Sequence, residues 1–286
     1  TKLDTPVAEI PQAVTVVTQD QIEDQRPRTL NETLNYTASA NPNNYGFDTR
    51  FDAFTLRGFP AYYNGVFRDG LRVFNAPTAI YKAEPYGTEG IAILKGPASS
   101  LYGVSGPGGI VNIVTKRPLD KPYREIEAVT GANDRAQLAF DLSGPLKDDR
   151  FAYRLTGVGK QTAEQIEELT NERGYLAGAF RYDISDATQI DVLLSYQDDS
   201  PISPARVPFA LTELYDAEDL RDFYVGEPLD DESDRRMANI GIEVRHEFDN
   251  GWRLQQGFRY QKFDWDYVGF YVGGLDADGV TVNRGK

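Results

Sequence analysis

The sequence predicts a small α+β domain followed by antiparallel transmembrane β-barrel strands. Three observations predict it. The first 122 residues interleave short β-branched runs with helix-start signals and many glycines. The remainder repeats an apolar–polar alternation of period two, which puts one class of side chain on each face of a strand. The connections between those segments differ in length in a regular way, as when strands cross a bilayer between tight turns on one side and loops on the other.

Composition narrows the function classes. The 286 residues carry 30 Lys and Arg against 44 Asp and Glu, a net charge of −14 with a pI near 4.6. Nothing here neutralises phosphates in bulk, so sequence-independent nucleic-acid binding is excluded. With no Cys there is no disulfide, thiolate zinc site or Cys nucleophile. A single His, His246, leaves little from which to build a His-rich metal site or a Ser-His-Asp triad. The acidic residues form no recognisable catalytic constellation, so no enzyme is expected. A mean hydropathy of −0.49 is too polar for a helical membrane protein, and 12% aromatics are too many for a disordered acidic chain. Composition alone suits an outer-membrane barrel and a secreted β-sandwich equally. Residues 1–122 hold 12 basic and 12 acidic residues, whereas 123–286 hold 18 and 32, the whole excess. The break falls in KRPLDKP at 116–122, where two prolines mark a linker, giving domains 1–122 and 123–286.

In the first domain AVTVVT at 13–18 reads as a strand. Thr18 with Gln21, and Thr29 with Glu32, are capping-box patterns opening two short helices, the first stopping near Pro27. Strands follow at 52–59, at 65–73 around the Asp69-Gly70 turn signal, at 90–96 and at 108–118. Glycines at 96, 103, 106, 108 and 109 imply tight turns between the last two strands, without the spacing of a phosphate-binding loop.

In the second domain the alternation is cleanest at 135–143, 188–197 and 237–248. Segments 123–131, 151–160, 174–183 and 252–265 complete seven strands, each near the ~9–11 residues a tilted membrane strand needs. Short turns are expected at 144–150, 184–187 and 249–251, with long connections at 161–173 and 198–236. A sandwich would also alternate. Aromatics near strand ends (Phe151, Tyr153, Tyr182, Tyr196, Trp252, Tyr260, Trp265) and full charges on the polar faces favour a barrel, with those rings as an interfacial girdle. His246 reads as an interface residue. The 198–236 connection holds 12 acidic and 4 basic residues and reads as a solvated outer loop. Asp230, Asp231, Glu232 and Asp234 are its only candidates for holding a cation, without EF-hand spacing.

The segments IPQAVTVVT, LNETLNYTAS, LRGF, DGL and ILKGPASSLYGVSGPGGIVNIVTKRP, in this order over residues 3–122, resemble the plug domain of TonB-dependent siderophore receptors, the ferrichrome-receptor group in particular. The resemblance implies a monomer in the Gram-negative outer membrane that binds a ferric siderophore. The cargo brings its own ligand shell, so no cofactor and no protein metal ligands are expected. Cobalamin, haem or a glycan is the alternative cargo. Apical plug loops would supply the ligand face: Tyr45, Phe47, Tyr62, Tyr63, Phe74 and Tyr81, whose rings suit a bulky chelate. Arg57 and Lys95 match a pair of plug arginines that dock the plug on barrel glutamates. Lys at the second position lacks the bidentate fork, so a weaker or rearranged docking is expected. The chain begins at Thr1 and seven strands cannot close, whereas plugged transporters have 22 strands. It therefore reads as the plug and about a third of the barrel of a longer receptor, with the TonB-contacting segment upstream of Thr1.

Overall fold

The computed structural model describes residues 9–286 except 43, 45, 47, 49, 76–79, 147–149, 165, 167, 205 and 206. Strand β1 (Ala13–Val17) leads into helices α1 (Gln19–Gln25) and α2 (Leu30–Thr33). Both helices begin as their capping residues require: Thr18 Oγ1 accepts from Gln21 N at 3.3 Å and Thr29 Oγ1 from Glu32 N at 3.2 Å. α1 stops one residue before Pro27, at Arg26 in the left-handed region (φ 46°), because the residue after it cannot donate a helical hydrogen bond.

The segment 52–59 departs from expectation. It is not one strand but two short ones, β3 (Thr55–Leu56) and β4 (Phe59–Pro60), folded back around Arg57-Gly58 at φ 50° and 82° and paired with β2 (Ala40–Asn41). The glycine that a turn needs had been absorbed into an apolar run. Asp69-Gly70 turns a hairpin of β5 (Val66–Arg68) and β6 (Leu71–Arg72), and β7 (Thr88–Lys95), α3 (Ser99–Tyr102) and β8 (Gly109–Thr115) follow. The five-stranded sheet has the order β1-β7-β8-β5-β6, with β5 parallel to β8. Ile22, Leu30 and Leu34 pack with Ile91, Ile93 and Val111 as its core. At Gly108 and Gly109 a β-carbon would overlap the carbonyls of Leu56 and Leu94, which is why the loop between β7 and β8 ends in paired glycines.

From Tyr123 the chain forms one antiparallel sheet of seven sequential strands: β9 (Tyr123–Gly131), β10 (Arg135–Pro145), β11 (Phe151–Ala163), β12 (Thr170–Ser185), β13 (Thr188–Pro201), β14 (Glu232–Glu247) and β15 (Arg253–Val268). Beyond them lie a small helix α4 (Ala217–Arg221) in the β13–β14 connection and a hairpin of β16 (Tyr271–Leu275) and β17 (Val282–Gly285). Connections 146–150, 186–187 and 248–252 lie at the end where β9 starts; 132–134, 164–169 and 202–231 lie at the other. The two long connections are shorter than expected because the ladders run on, through Ala163↔Thr170, Asn171↔Pro201 and Glu232↔Val268. Backbone pairing needs no apolar side chain, so strands continue past the point where alternation ends.

The sheet is inside out relative to a soluble one. Outward-facing Ile126, Leu138, Ile240 and Phe258 are 78, 61, 46 and 61% exposed, while inward-facing Asp141, Arg154, Arg173, Asp199 and Arg235 are at most 3% exposed against the first domain. A sandwich would bury the apolar face. Phe151 and Tyr182 stack on the outside with ring centroids 4.3 Å apart, close to the short turns. His246 sits there too, 2.8 Å from Thr188 Oγ1 and edge-on to Phe248. Trp265 does not join this girdle. It shares the inward face of β15 with Arg259 and gives its indole N–H to Ser233 Oγ at 3.0 Å.

Candidate functional site

Charged groups hold the first domain to the sheet at three stations. At the first, the β5–β6 turn presents the Asp69 carboxylate, which accepts from Thr115 N (2.8 Å), Thr115 Oγ1 (2.7 Å) and, across the interface, Arg259 Nη2 on β15 (2.7 Å). Arg68 donates to Ser195 Oγ on β13 at 3.1 Å and to the Tyr81 hydroxyl at 3.0 Å. Burial pushes the Asp69 carboxyl up, but Arg117, Arg259 and Arg68 outweigh it and hold the group below the usual carboxylate range.

The second station follows β8. Lys116 Nζ donates to Asp141 on β10 at 2.7 Å, and Arg154 on β11 closes a bidentate pair on the same carboxylate at 2.9 and 2.7 Å. Arg117 reaches Glu243 on β14 at 2.8 Å. At the third, Glu84 accepts from Arg173 (2.9 Å) and pairs with Lys160 (2.7 Å), while Arg173 and Arg235 share Asp199 at 2.9 and 2.6 Å. Lys82 lies beside them, and burial, with the Arg173 charge adding to it, lowers its ammonium to about 7. Removing one member of such a buried set leaves a bare charge, so the three stations act as bolts.

Toward the end with the long connections, the inward face of β15 carries Phe263, Trp265 and Tyr267 in a ladder, with centroids 6.2 and 5.5 Å apart. Arg50 of the first domain donates to the Tyr267 hydroxyl at 3.0 Å and lies over the rings of Phe51 and Tyr267 at 5.0 and 5.4 Å. Phe51, Tyr63 and Phe263 pack against the core of the first domain. The result is an aromatic cup with Arg50 at its rim and the buried Arg235 guanidinium 5.6 Å from the Trp265 ring centre. Asp231 ties the 202–231 connection over it, accepting from the Tyr224 hydroxyl, Glu227 N (2.8 Å) and Phe270 N (2.9 Å). The four candidate acids for a cation do not converge: Asp230 pairs with Lys286 and Asp234 accepts from Ser200. Among the described residues no three such side chains cluster.

The aromatic positions singled out in the sequence are distributed unevenly. Tyr62 and Tyr81 are buried in the core of the first domain, and Tyr63 is half-buried with its ring 4.4 Å from that of Tyr62. Phe74 is exposed. Tyr45 and Phe47 lie outside the described residues. The Arg57 guanidinium lies against Gly96, the residue after Lys95 at the end of β7; among the described residues neither side chain pairs with a carboxylate. Asp69, Glu84, Lys116 and Arg117 and their partners on the sheet were not singled out as docking groups. The signal available was the run of full charges on the polar strand faces, which pattern alone cannot pair.

The TonB-dependent Receptor Plug Domain family model matches residues 6–110. The chain is 34% identical over 268 residues to the ferrioxamine B receptor of Salmonella typhimurium, covering 91% of this chain and 38% of that protein. It is 33% identical over 207 residues to the ferrichrome outer membrane transporter/phage receptor of Escherichia coli K12, covering 70% and 27%. Among solved structures, the closed form of the ferric-catecholate import receptor of E. coli K12 superposes with a TM-score of 0.86 at 19% identity, over 99% of this chain and 42% of that one. The ferripyoverdine receptor of Pseudomonas aeruginosa gives 0.84 at 21%, over 96% and 37%. These two likenesses speak for the fold. The chain thus spans about two-fifths or less of the length of these relatives.

Proposed function

This chain belongs to the TonB-dependent receptors of the Gram-negative outer membrane, and we propose that the protein it represents captures a ferric siderophore at the cell surface and passes it inward. In this reading residues 1–122 are the plug and 123–286 the first part of the barrel wall. The observation that carries it is the inverted sheet: its apolar face is exposed as lipid requires, and its charged face clasps the plug. The relatives' names, ferrioxamine and ferrichrome receptors, favour a ferric siderophore as cargo.

The cargo arrives with iron already enclosed, so the chain supplies flat apolar area and hydrogen bonds rather than metal ligands. The Phe263–Trp265–Tyr267 ladder and Arg50 offer these, with Tyr45, Phe47, Tyr63 and Phe74 as the plug's contribution. Tyr62 and Tyr81 support that face from the core. Arg57 and Lys95, which meet no carboxylate among the described residues, would dock the plug on wall carboxylates outside them. Energy would come from the TonB complex pulling on the segment before β1, and no bond is made or broken.

Titration of the receptor with ferrioxamine B, read by Trp fluorescence, tests the cargo. Trp265 belongs to that ladder whereas Trp252 is exposed at a short turn, so Trp265→Phe should reduce the quenching and Trp252→Phe should leave it unchanged. Tyr45→Ala and Tyr63→Ala should each weaken binding about tenfold, the loss of one buried ring contact. Affinity unchanged in both would remove the plug aromatics from the site. Binding of cobalamin, haem or a glycan in place of the siderophore would change the cargo and leave the receptor fold standing. Arg57→Ala should lower the plug's melting temperature or alter uptake; neither changing would end its docking role.

A further inference from the structure

On the outward face of the wall, toward the end with the long connections, a groove of about 580 Å³ crosses β9–β13. Two glycines form its floor. Gly159 on β11 and Gly174 on β12 stand directly opposite each other, both exposed, and the ladder runs through them without a bulge. Neither has a positive φ, and a β-carbon added to either meets no atom within 4 Å among the described residues. The other outward glycines nearby are covered: the Phe140 ring lies over Gly157 and the Phe180 ring against Gly178. A glycine inside a strand weakens it, and an unbulged one marks a place where something else comes close. Nothing in the chain comes close to this pair, so the space is kept for a molecule outside it.

The groove is graded along its length. Its lower edge is one outward row in register, Ala128, Leu138, Gly159, Gly174 and Asp198, which continues into Arg236 and Asp264. The row is apolar on β9 and β10 and charged on β13 to β15. A parallel row below it starts at Arg124 on β9 and ends at Tyr260 on β15, so rows climb from the lower edge of the apolar band to its upper edge. Four strand spacings of about 4.8 Å make the groove roughly 19 Å long. With strands tilted about 40°, it descends roughly 12 Å, within the half of the ~30 Å hydrocarbon core that one leaflet fills. A molecule that matches it is apolar and extended at the lower end and charged at the upper.

The upper end carries both signs. Asp198, Arg236 and Asp264 follow one another on adjacent strands, minus, plus, minus. Arg236 lies 3.6 Å from Asp198 and Lys262 2.8 Å from Asp264, with all four side chains about half exposed. Exposed pairs of this kind contribute little, so each charge is available to a group arriving from the membrane. A head with phosphates alone would meet two carboxylates beside the one guanidinium in that row. A head with one phosphate and one ammonium finds an opposite charge for each.

We propose that this groove is a lipid seat: one acyl chain of a zwitterionic phospholipid lies over Gly159 and Gly174 toward Leu138 and Ala128, with its phosphate at Arg236 and its ammonium at the neighbouring carboxylates. The second chain stays in the bilayer. The proposal rests on the reading of 123–286 as a membrane wall, and goes beyond it by assigning one lipid a fixed place.

The purified receptor in detergent, titrated with dipalmitoyl phosphatidylethanolamine and followed by native mass spectrometry, tests this. The first lipid should bind at least tenfold more tightly than later ones. Gly159→Leu with Gly174→Leu should abolish that difference, since the new side chains fill the groove and meet nothing of the chain. Ile242→Phe, on the same face but away from the groove, should keep it, and Arg236→Gln should weaken the first lipid about tenfold. Gly174→Leu alone serves if the double variant does not fold. An unchanged first lipid in the glycine variants overturns the seat. Tighter binding of lipid A than of phosphatidylethanolamine overturns the zwitterionic head. A wild-type dimer that the glycine variants make monomeric puts a second copy in the groove, and also overturns it. Wild type that inserts into vesicles yet holds no lipid preferentially ends the seat and leaves the receptor reading standing; wild type that does not insert ends both.

Discussion

At the scale of the residue, Asp69 does two jobs with one carboxylate. It caps the β5–β6 turn through Thr115 and takes Arg259 from the wall. Asp69→Asn should destabilise the seated plug by about 3–5 kcal/mol at neutral pH, because it leaves Arg259 and Arg117 buried without their charge. The sign of the pH dependence follows from the lowered value. The contribution is complete above the unfolded value of about 3.9 and is lost as pH falls through the folded one. The gap between wild type and Asp69→Asn should therefore be constant from neutral pH down to about pH 4 and narrow below it. Calorimetry of the receptor across that range measures this, and a gap that persists in strong acid would dismiss the ion pair as its source. The sequence showed Asp69-Gly70 as a turn, which is local chemistry. It did not show Arg259, 190 residues away, as the partner.

At the scale of the element, the capping residues and the glycine-marked turns were legible because each acts within four residues. Strand centres were legible for the same reason: period two is written in neighbouring side chains. Strand ends were not, since β12, β13 and β14 extend beyond their apolar stretches on backbone pairing alone. The outward row of Leu194, Ile240 and Tyr260 marks the middle-to-upper part of the apolar band, and Lys262, one row on, marks its edge. Leu194→Arg should cost about 2–4 kcal/mol of folding free energy in lipid vesicles, and Ala238→Arg beside Lys262 about 0–1. Urea titration of the receptor in vesicles compares them. Equal costs would mean that this face does not meet hydrocarbon. Trp265 shows the limit of pattern at this scale: aromatic residues near strand ends look alike until the register assigns each to a face.

At the scale of the whole molecule, an apolar outer face and two sheet edges decide behaviour in water. Among the described residues β9 pairs only with β10 and β15 only with β14, so both edges offer bare ladder groups. The 286-residue chain purified by itself should associate in buffer and disperse in detergent; a stable monomer in plain buffer, seen by light scattering, would return the soluble sandwich to contention. The sequence by itself determined the α+β plug, the seven alternating strands, the short and long connections and the family resemblance. All of these rest on residues close together in the chain or on motifs read in order. Only the tertiary structure decided that the charged face turns inward, that Glu84 meets Arg173 and Lys160, that Lys116 and Arg154 converge on Asp141, and that Tyr62 and Tyr81 serve the core. Those outcomes depend on which charges are brought within about 3 Å of each other in a space that excludes water. That distance is set by the packing of plug against wall, and no spacing along the chain records it.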